Sequence, residues 1–326
     1  GLRRVLSEVM VRNRRATTLV ALTRRVARTV IVEPTAAEQE LYIGLSDFLR
    51  EQYRRGSGIT RMMVQTLQME LGSSPRAAAP TLGRLLAQQW EPSVQERLGG
   101  FLGHARSLDE DAKSRALRGL LRSWSDKLLI FTRFRATQEH LAHLLKQTGE
   151  SCALYHGGLP RREKEEAIRA FEGPCRILIS TEAGGEGRNL QFCHGLVNYD
   201  LPWNPMRIEQ RIGRLSRVGQ TRDVYVFNLV APGTIEETLL EILDAKINMF
   251  ELVIGEIDMI LGQLATDQDF EVLVMDLWLG SEDREAFREK MASLGEELLK
   301  AKQAYFGIRE LDDRIFGNAL APGGSA

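Results

Sequence analysis

The sequence from residue 209 to residue 220 reads EQRIGRLSRVGQ and predicts an arginine-rich amphipathic helix. At 3.6 residues per turn, one face carries Arg207, Gln210, Arg211, Arg214 and Arg217, and the opposite face carries Ile208, Ile212 and Leu215. We expect the apolar face to be buried. A solvated face normally mixes charges, whereas this polar face has four guanidiniums and no carboxylate. Because a guanidinium fits phosphate oxygens, the pattern predicts a nucleotide or a nucleic-acid backbone as the partner.

Short apolar runs alternate with amphipathic helical patterns from Lys127 onward. This alternation is typical of parallel β-α-β units. It predicts strands at residues 128–132, 152–155, 176–180, 196–199 and 223–229, and helices at about 136–147, 160–172 and 204–217. The fold class that we expect is therefore α/β, with an open parallel sheet flanked by helices.

The segments on either side of this region are expected to be helical. Residues 1–123 form a helical linker or brace with one strand at Thr29–Val32, and the cluster Gly72-Ser73-Ser74-Pro75 interrupts the helices. The sheet region then spans residues 124–232, and a helical extension spans residues 233–326. The chain starts with Gly1 rather than Met, within what looks like a helix, so we expect a fragment of a longer protein.

Composition and charge limit the class of protein. The chain has 326 residues, of which 43% are hydrophobic and 27% charged, which is typical of a soluble globular protein. No apolar run approaches the length of a membrane span, so we expect no membrane partner and a cytoplasmic location. The three cysteines, Cys152, Cys175 and Cys193, lack the paired spacing of a disulfide or zinc site, and we expect buried thiols and no metal.

The net charge of −1 hides an uneven distribution. Residues 1–30 carry eight arginines and one glutamate, whereas residues 233–326 carry 20 acidic and 8 basic residues. The basic segment fits either a nucleic acid or an acidic protein surface. The acidic segment fits either a solvated helical face or a protein-contact region.

Polar and glycine-rich residues follow four of the predicted strands. In an open parallel sheet, ligands bind beyond the carboxyl ends of the strands. The residues found there are Thr132-Arg133-Phe134, His156-Gly157-Gly158, the run from Thr181 to Asn189, and Asp200-Leu201-Pro202-Trp203-Asn204-Pro205. Glycine lets the backbone approach a phosphate closely. Each run alone would be explained as a simple turn, but four of them beside an arginine helix predict a binding site.

These runs resemble the second RecA-like lobe of the SWI/SNF-type helicases of superfamily two, which are ATP-driven DNA translocases. Residues 210–220 resemble motif VI, residues 181–191 resemble motif V, and residues 128–134 resemble motif IV. The runs at 186–189 and 200–205 are similar to the bacterial subgroup associated with RNA polymerase. The resemblance covers about residues 113–250, and residues 1–60 look like the end of the first lobe.

The resemblance implies roles for residues at matching positions. ATP would bind between two lobes, where Arg214 and Arg217 would stabilise the transferred phosphoryl group. Gln210 would either orient these arginines or couple the two lobes. The nucleotide-binding residues implied are Glu186, Gly187 and Asn189. The DNA-backbone contacts implied are Thr132, Arg133, His156, Gly157, Thr181 and Gly184.

Two positions carry open alternatives. Trp203 is expected either to contact DNA or the other lobe, or to pack in the core. Ser216 stands where many relatives have His or Asp, which leaves a polar contact there in question.

The first lobe of this family carries a phosphate-binding loop ending in Lys-Ser/Thr and a magnesium-binding Asp-Glu box. This sequence has no counterpart of either one. The run Asp109-Glu110-Asp111-Ala112 follows Arg106 and Ser107 rather than an apolar strand, so we interpret it as a helix N-cap. We therefore expect the missing N-terminal lobe to hold Mg²⁺ and the chain alone to be inactive, although the full-length parent would hydrolyse ATP.

Three functions remain in competition at this point. The favoured one is a lobe of an ATP-dependent translocase or remodeller on double-stranded DNA. The second is a docking module for nucleic acid or RNA polymerase without catalysis of its own. The third is a lobe of an RNA helicase, which the motif VI spacing and its Gly219-Gln220 ending disfavour.

Overall fold

The computed structural model of the protein describes residues 23–181, 190–216, 219–253, 255–264 and 268–316. Within these ranges, six parallel strands form one sheet in the spatial order β1-β6-β5-β2-β4-β3. The strands are β1 (Arg25–Ile31), β2 (Leu128–Phe131), β3 (Cys152–Tyr155), β4 (Ile177–Ser180), β5 (Gly195–Asn198) and β6 (Val224–Val230). The parallel α/β sheet predicted from the sequence is confirmed, and the five strands predicted after residue 124 are placed within one residue of their observed ends.

Helices precede, connect and follow the strands. The N-terminal ones are α1 (Ala36–Arg55), α2 (Arg61–Ser73), α3 (Pro75–Leu86), α4 (Pro92–Ser107) and α5 (Ala112–Ser123). Those among the strands are α6 (Arg135–Gln147), α7 (Arg161–Glu172) and α8 (Pro205–Ile212). The C-terminal ones are α9 (Ile235–Ala245), α10 (Glu256–Leu261), α11 (Phe270–Leu279) and α12 (Arg284–Phe316), with a 3-10 turn at Met249–Glu251. No helix within the described ranges is both long and apolar enough to cross a membrane.

Alternate side chains of the strands face opposite sides of the sheet, as strand geometry requires. Leu128 and Ile130 of β2 pack with α5 and α6 on one side. Leu129 and Phe131 pack on the other side, in the cluster that includes α8. The sheet is therefore covered by helices on both faces, which explains why its central strands are continuous apolar runs.

Strand β1 extends the sheet at its edge. It pairs in parallel with β6, so that Arg25 lies opposite Val224 and Ile31 lies opposite Val230. The sequence predicted only a strand at Thr29–Val32 within a bracing segment, because the basic residues at the start of β1 mask its periodicity. The sheet therefore includes residues from the segment 1–123 as well.

Short polar residues fix the helix starts that position the site. Asp111 is the N-cap of α5, where its carboxylate accepts a hydrogen bond of 2.8 Å from the Ser114 backbone N–H. The helix-cap interpretation of residues 109–112 is confirmed. Asn204 caps α8 in the same way through the Met206 backbone N–H, at 2.9 Å, and Pro205 occupies the first helical position.

Candidate functional site

The carboxylate of Asp200 joins three segments at the carboxyl edge of the sheet. Its Oδ2 accepts hydrogen bonds from the hydroxyls of Thr132, at 2.6 Å, and Ser73, at 2.8 Å. The Arg133 backbone N–H donates to both carboxylate oxygens, at 2.9 and 3.0 Å. The Nη2 atom of Arg211 lies 3.2 Å from Oδ1. Asp200 therefore fixes the end of β2, the end of α2 and the arginine-bearing helix α8 relative to one another.

Arg211 points into the protein rather than towards an external anion. The residue is only 3% exposed, and its Nη1 donates to Asn198 Oδ1 at 2.9 Å and to the Asp200 carbonyl at 2.7 Å. Its guanidinium carbon lies 5.3 Å from the centre of the Phe131 ring. The prediction that all four arginines face a ligand is wrong for Arg211, because Asp200 supplies its counter-charge from outside the helix.

A second carboxylate reaches the arginine face from the C-terminal helices. Glu271 Oε1, in the first turn of α11, lies 3.3 Å from Arg133 Nη1 and 3.6 Å from Arg207 Nε. The sequence pattern shows no acidic residue beside the arginines, but in the folded structure Glu271 lies next to one of them. The sequence pattern could not reveal this contact, because Glu271 is far from Arg207 along the chain.

The apolar face of the arginine helix is buried as predicted, since Ile212 is 1% exposed and Leu215 is fully buried. The helix itself is shorter than predicted: α8 ends at Ile212, and residues 213–216 continue as tight turns. Gln210 is exposed near the end of α8, and Arg214 is half-buried in the following turn. Arg217 lies outside the described residues.

Gln220 connects the turns after α8 to residues 191–193. Its buried side-chain amide donates to the carbonyls of Gln191 at 3.0 Å, Cys193 at 3.2 Å and Leu215 at 3.2 Å. Its carbonyl oxygen accepts a hydrogen bond from the Thr221 backbone N–H. The end of motif VI is thus tied to the end of motif V. The sequence placed Gln220 within the motif but gave it no role, because an amide gives no sign of which carbonyls it will contact.

Ser216 does make a polar contact. Its hydroxyl accepts a hydrogen bond of 3.2 Å from Arg25 Nε, and Arg25 Nη1 donates to the Leu252 carbonyl at 2.7 Å. Nearby, the buried carboxylate of Glu209 accepts from the Gly255 backbone N–H at 2.9 Å, and burial raises the pKa of this carboxyl. Edge strand β1 and the chain after α9 therefore both support the turns that carry Arg214.

Thr132 is placed differently from the prediction. Its side chain is completely buried and donates to Asp200, so the DNA-backbone contact expected from it is corrected to a positioning role. Arg133, the next residue, keeps 31% of its side chain exposed. Backbone geometry accounts for the difference, since successive residues at a strand end point in opposite directions.

The loop after β3 brings His156 and Gly157 to the same edge of the sheet. Gly157 is exposed, and its carbonyl accepts a hydrogen bond of 2.9 Å from Lys164 Nζ. His156 is 7% exposed, and its Nδ1 has no hydrogen-bond partner among the described residues. Burial lowers the pKa of His156, and the positive charge of Arg135 lowers it further. Both effects favour neutral imidazole over imidazolium.

Thr181 follows β4 and is 6% exposed, with its backbone N–H donating to the Tyr155 carbonyl at 3.0 Å. The other residues predicted from motif V, Gly184, Glu186, Gly187 and Asn189, lie outside the described residues, and their roles stay predictions. Across the described part of the chain, no three His, Cys, Asp or Glu side chains are grouped as a metal site requires.

Trp203 is 2% exposed and packs in the core, which decides between its two alternatives in favour of packing. Among the thiols, Cys175 and Cys193 are buried and Cys152 is half-buried. Burial raises the pKa of Cys193 to about 12 and that of Cys152 to about 11. These thiols are packing residues, in agreement with the prediction.

The break between α2 and α3 also contacts helix α6. Ser73 and Ser74 both share hydrogen bonds of 2.8 Å with the Thr137 hydroxyl. The next contact is a buried ion pair of 2.6 Å between Lys113 and Glu236, whose Oε1 also accepts from the Leu201 backbone N–H at 3.0 Å. Burial raises the pKa of Glu236 to about 7. The helices of the first segment are therefore anchored to the site rather than acting only as a linker.

Comparison with known proteins identifies a domain family and relatives of this chain. Residues 112–219 match the family described as the helicase conserved C-terminal domain. The chain is 38% identical over 305 residues to the uncharacterized ATP-dependent helicase YqhH of Bacillus subtilis (strain 168), covering 93% of this chain and 54% of that protein. It is 34% identical over 179 residues to the RNA polymerase-associated protein RapA of Vibrio atlanticus (strain LGP32), covering 53% of this chain and 18% of RapA.

The chain thus spans about half of YqhH and a smaller part of RapA. Among solved structures, the C-terminal part of the Fun30 ATPase domain is similar with a TM-score of 0.54 and 18% identity, over 78% of this chain and 98% of that one. That similarity supports the RecA-like fold. Residues 112–219 therefore carry a helicase conserved C-terminal domain, and the chain that contains this domain is similar to part of an ATP-dependent helicase.

Proposed function

We propose that this chain is the C-terminal lobe of an ATP-dependent translocase on double-stranded DNA. In this proposal Arg214 and Arg217 act as arginine fingers towards ATP bound between two lobes. The same lobe holds the phosphates of one DNA strand along the carboxyl edge of its sheet. The helicase C-terminal domain and the ATP-dependent helicase among the relatives support the general part of the proposal.

The observation that carries the proposal is the unequal environment of the arginines. Arg211 is internal and neutralised by Asp200, whereas Arg214 lies half-buried in the turn after α8. That turn is held in place by the buried side chain of Leu215 and by the Gln220 amide, which donates to the Leu215 carbonyl. A guanidinium on a fixed backbone can meet developing negative charge without reorganisation at the moment of reaction.

Phosphoryl transfer mainly requires positioning and charge stabilisation. Here Arg214 and Arg217 would balance charge on the transferred group, and exposed Gln210 would orient them or couple the lobes. The loop containing Glu186, Gly187 and Asn189 would lie against the nucleotide. The other lobe of the parent protein would hold Mg²⁺ and the water-activating acid.

Contacts with DNA would involve the backbone only. Half-buried Arg133 supplies a cationic side chain at this edge, and exposed Gly157 lies at the same edge. Arg135 and Lys164 add positive charge beside His156, where Glu139 and Glu163 also lie. Contacts of cationic side chains and backbone N–H groups with phosphates carry no base information. We therefore expect binding that depends on salt and not on sequence, and a cytoplasmic location, where bacterial DNA is found.

A second candidate function is docking to RNA polymerase. It is favoured by one observation, the 34% identity to RapA, a protein named for its association with RNA polymerase. Docking and translocation are compatible activities of one protein.

The full-length parent provides the decisive experiment. Its ATPase rate is measured with no nucleic acid, with duplex DNA of two unrelated sequences, and with duplex RNA. The proposal requires stimulation by both DNA duplexes to a similar extent and weaker stimulation by RNA. An ATPase rate that does not respond to duplex DNA would contradict it.

A further inference from the structure

Arg133, Arg207 and Glu271 form a cluster of two guanidiniums around one carboxylate. Glu271 Oε1 lies 3.3 Å from Arg133 Nη1 and 3.6 Å from Arg207 Nε. The two arginines come from segments that carry the candidate site, since Arg133 follows β2 and Arg207 is on α8. Glu271 comes instead from α11, in the acidic C-terminal extension.

The three side chains differ in exposure. Arg133 is 31% exposed and Arg207 is 42% exposed, whereas the Glu271 side chain is 10% exposed. An incoming anion can therefore reach both guanidiniums from solvent. The carboxylate lies between them, where one oxygen of a tetrahedral oxyanion would lie if it bound both arginines.

From this arrangement, we propose that Arg133 and Arg207 form a binding site for a backbone phosphate of duplex DNA, and that the Glu271 carboxylate occupies this site in the absence of DNA. The inference rests on the proposed function, because it assumes that this edge of the sheet binds a nucleic-acid backbone. It adds Arg207 to the phosphate-binding residues. It also means that the Glu271 carboxylate competes with the DNA phosphate for the two arginines.

The geometry of α11 allows a DNA phosphate to replace the Glu271 carboxylate. Asp269 caps the helix, and its Oδ1 accepts a hydrogen bond of 2.8 Å from the Glu271 backbone N–H. The backbone of this turn is thus held independently of the Glu271 side chain, which can rotate away while the helix stays in place. Both guanidiniums are partly exposed, so a phosphate with several acceptor oxygens can reach them and replace the carboxylate.

The same arrangement makes Glu271 discriminate between a single small anion and a continuous DNA strand. A single weakly bound anion does not displace a carboxylate that is already held at short range, whereas a DNA strand engages the neighbouring contacts at the same time. Glu271 therefore weakens isolated phosphate binding more than binding to a continuous backbone.

The test measures the affinity of the 326-residue chain for a fluorescently labelled 20-base-pair duplex at low salt. Glu271→Gln keeps the shape of the side chain and removes its charge, and we expect it to bind about fivefold more tightly than wild type. Glu289→Gln removes the same charge from an exposed position on α12 and serves as the matched control. We expect that control to change the affinity by less than about twofold.

Arg207→Gln should weaken duplex binding, and the Arg207→Gln, Glu271→Gln double variant should lose the gain given by Glu271→Gln alone. Melting curves establish that each variant is folded, and Arg207→Gln tests the site independently if Glu271→Gln destabilises α11. If wild type binds duplex and Glu271→Gln has the same affinity as Glu289→Gln, the competing role of Glu271 is refuted and the proposed function stands. If wild type and all variants fail to bind duplex, the proposed DNA binding fails together with this inference.

Discussion

The carboxylate of Asp200 and the guanidinium of Arg211 form a buried pair, with Oδ1 3.2 Å from Nη2 and both side chains no more than 5% exposed. The pair connects the end of β5 to α8, the helix that leads into the turn with Arg214. Since the carboxylate also accepts from Thr132 and Ser73, one side chain holds the sheet edge, α8 and the first helical segment together.

Asp200→Asn is expected to destabilise the fold strongly. It leaves the Arg211 guanidinium buried without its counter-charge, and removing one partner of a buried pair costs about 3–5 kcal/mol. Urea unfolding measures the loss. Asp223→Asn is the control, because its pair with Arg24 is exposed and separated by 3.8 Å, and we expect a change below about 1 kcal/mol. Equal effects of the two substitutions would show that the buried pair has no special part in stability.

Arg214→Ala in the full-length parent is expected to lower DNA-stimulated ATP turnover by about 10³- to 10⁵-fold, as for other arginine fingers. Folding and DNA binding should change little, because Arg214 is half-buried and does not belong to the apolar core that includes Leu215. Arg214→Lys should not restore turnover, since an ammonium lacks the planar fork of donors.

The control for this prediction is Arg222→Ala, which removes an exposed arginine paired with Asp126. Its turnover should stay within a few-fold of wild type. Near-normal turnover of Arg214→Ala would remove the catalytic assignment and favour a solvated basic surface.

Glu70 should make stability depend on pH. Burial raises the pKa of this carboxyl to about 7, from a usual value near 4.5, although the Thr81 hydroxyl donates to it at 2.7 Å. The folded state therefore binds the proton more tightly than the unfolded state. The stabilisation is present below about pH 4.5 and is lost as the pH rises through about 7.

Glu70→Gln resembles the protonated form, so it should raise the free energy of unfolding at pH 8 by about 1–3 kcal/mol and change it little at pH 4.5. Chemical unfolding between pH 4.5 and 8 measures this difference. Glu96→Gln, at an exposed position of α4, is the control and should show neither effect. A gain of stability at pH 4.5 equal to that at pH 8 would contradict the prediction.

Arg133→Ala is expected to reduce the salt dependence of duplex binding. Removing one phosphate contact lowers the slope of log affinity against log salt by about one at most. Fluorescence anisotropy over a range of salt concentrations measures the slope. Arg97→Ala, which removes an exposed arginine from α4, should leave it unchanged. An unchanged slope for Arg133→Ala, or affinity that follows base sequence, would place the DNA contact elsewhere.

The 326-residue chain alone is expected not to turn over ATP. Its sequence has no phosphate-binding loop ending in Lys-Ser/Thr and no magnesium-binding Asp-Glu box, so the β and γ phosphates would have no cradle. A sensitive phosphate-release assay on the purified chain, with and without duplex DNA, measures this. The same assay on the Arg214→Ala chain detects a contaminating ATPase, which would be unaffected by the substitution. Turnover that depends on Arg214 would overturn the division of the active site between two lobes.

The sequence predicted the sheet well because its central strands are buried on both faces and read as apolar runs. It was less successful with β1, whose partly exposed edge position and arginines give no regular alternation. The site shows a comparable limit. The prediction that the apolar face of α8 is buried was correct, because burial follows helical periodicity. The prediction of a helix cap at residues 109–112 was also correct, because capping is a local interaction.

The contacts that decide the roles of the arginines are not local. Arg207 and Arg211 occupy one polar face in the sequence pattern, yet in the structure Arg207 lies near Glu271 and Arg211 pairs with Asp200. Thr132 also looked like a surface residue because it is polar and follows a strand. A polar residue at such a position contacts either solvent or a buried partner, and only the tertiary structure distinguishes these cases.

Strand β1 has a consequence for folding and for truncation of the chain. It pairs with β6 across almost 200 positions, from Arg25 to Val224, and such non-local pairing is expected to slow folding. A shorter chain that starts near residue 112, where the helicase C-terminal domain begins, would lack β1 and leave the N–H and C=O groups of β6 uncovered. Such an edge can pair with a second molecule, and self-association of the truncated lobe would be the visible sign of the missing strand.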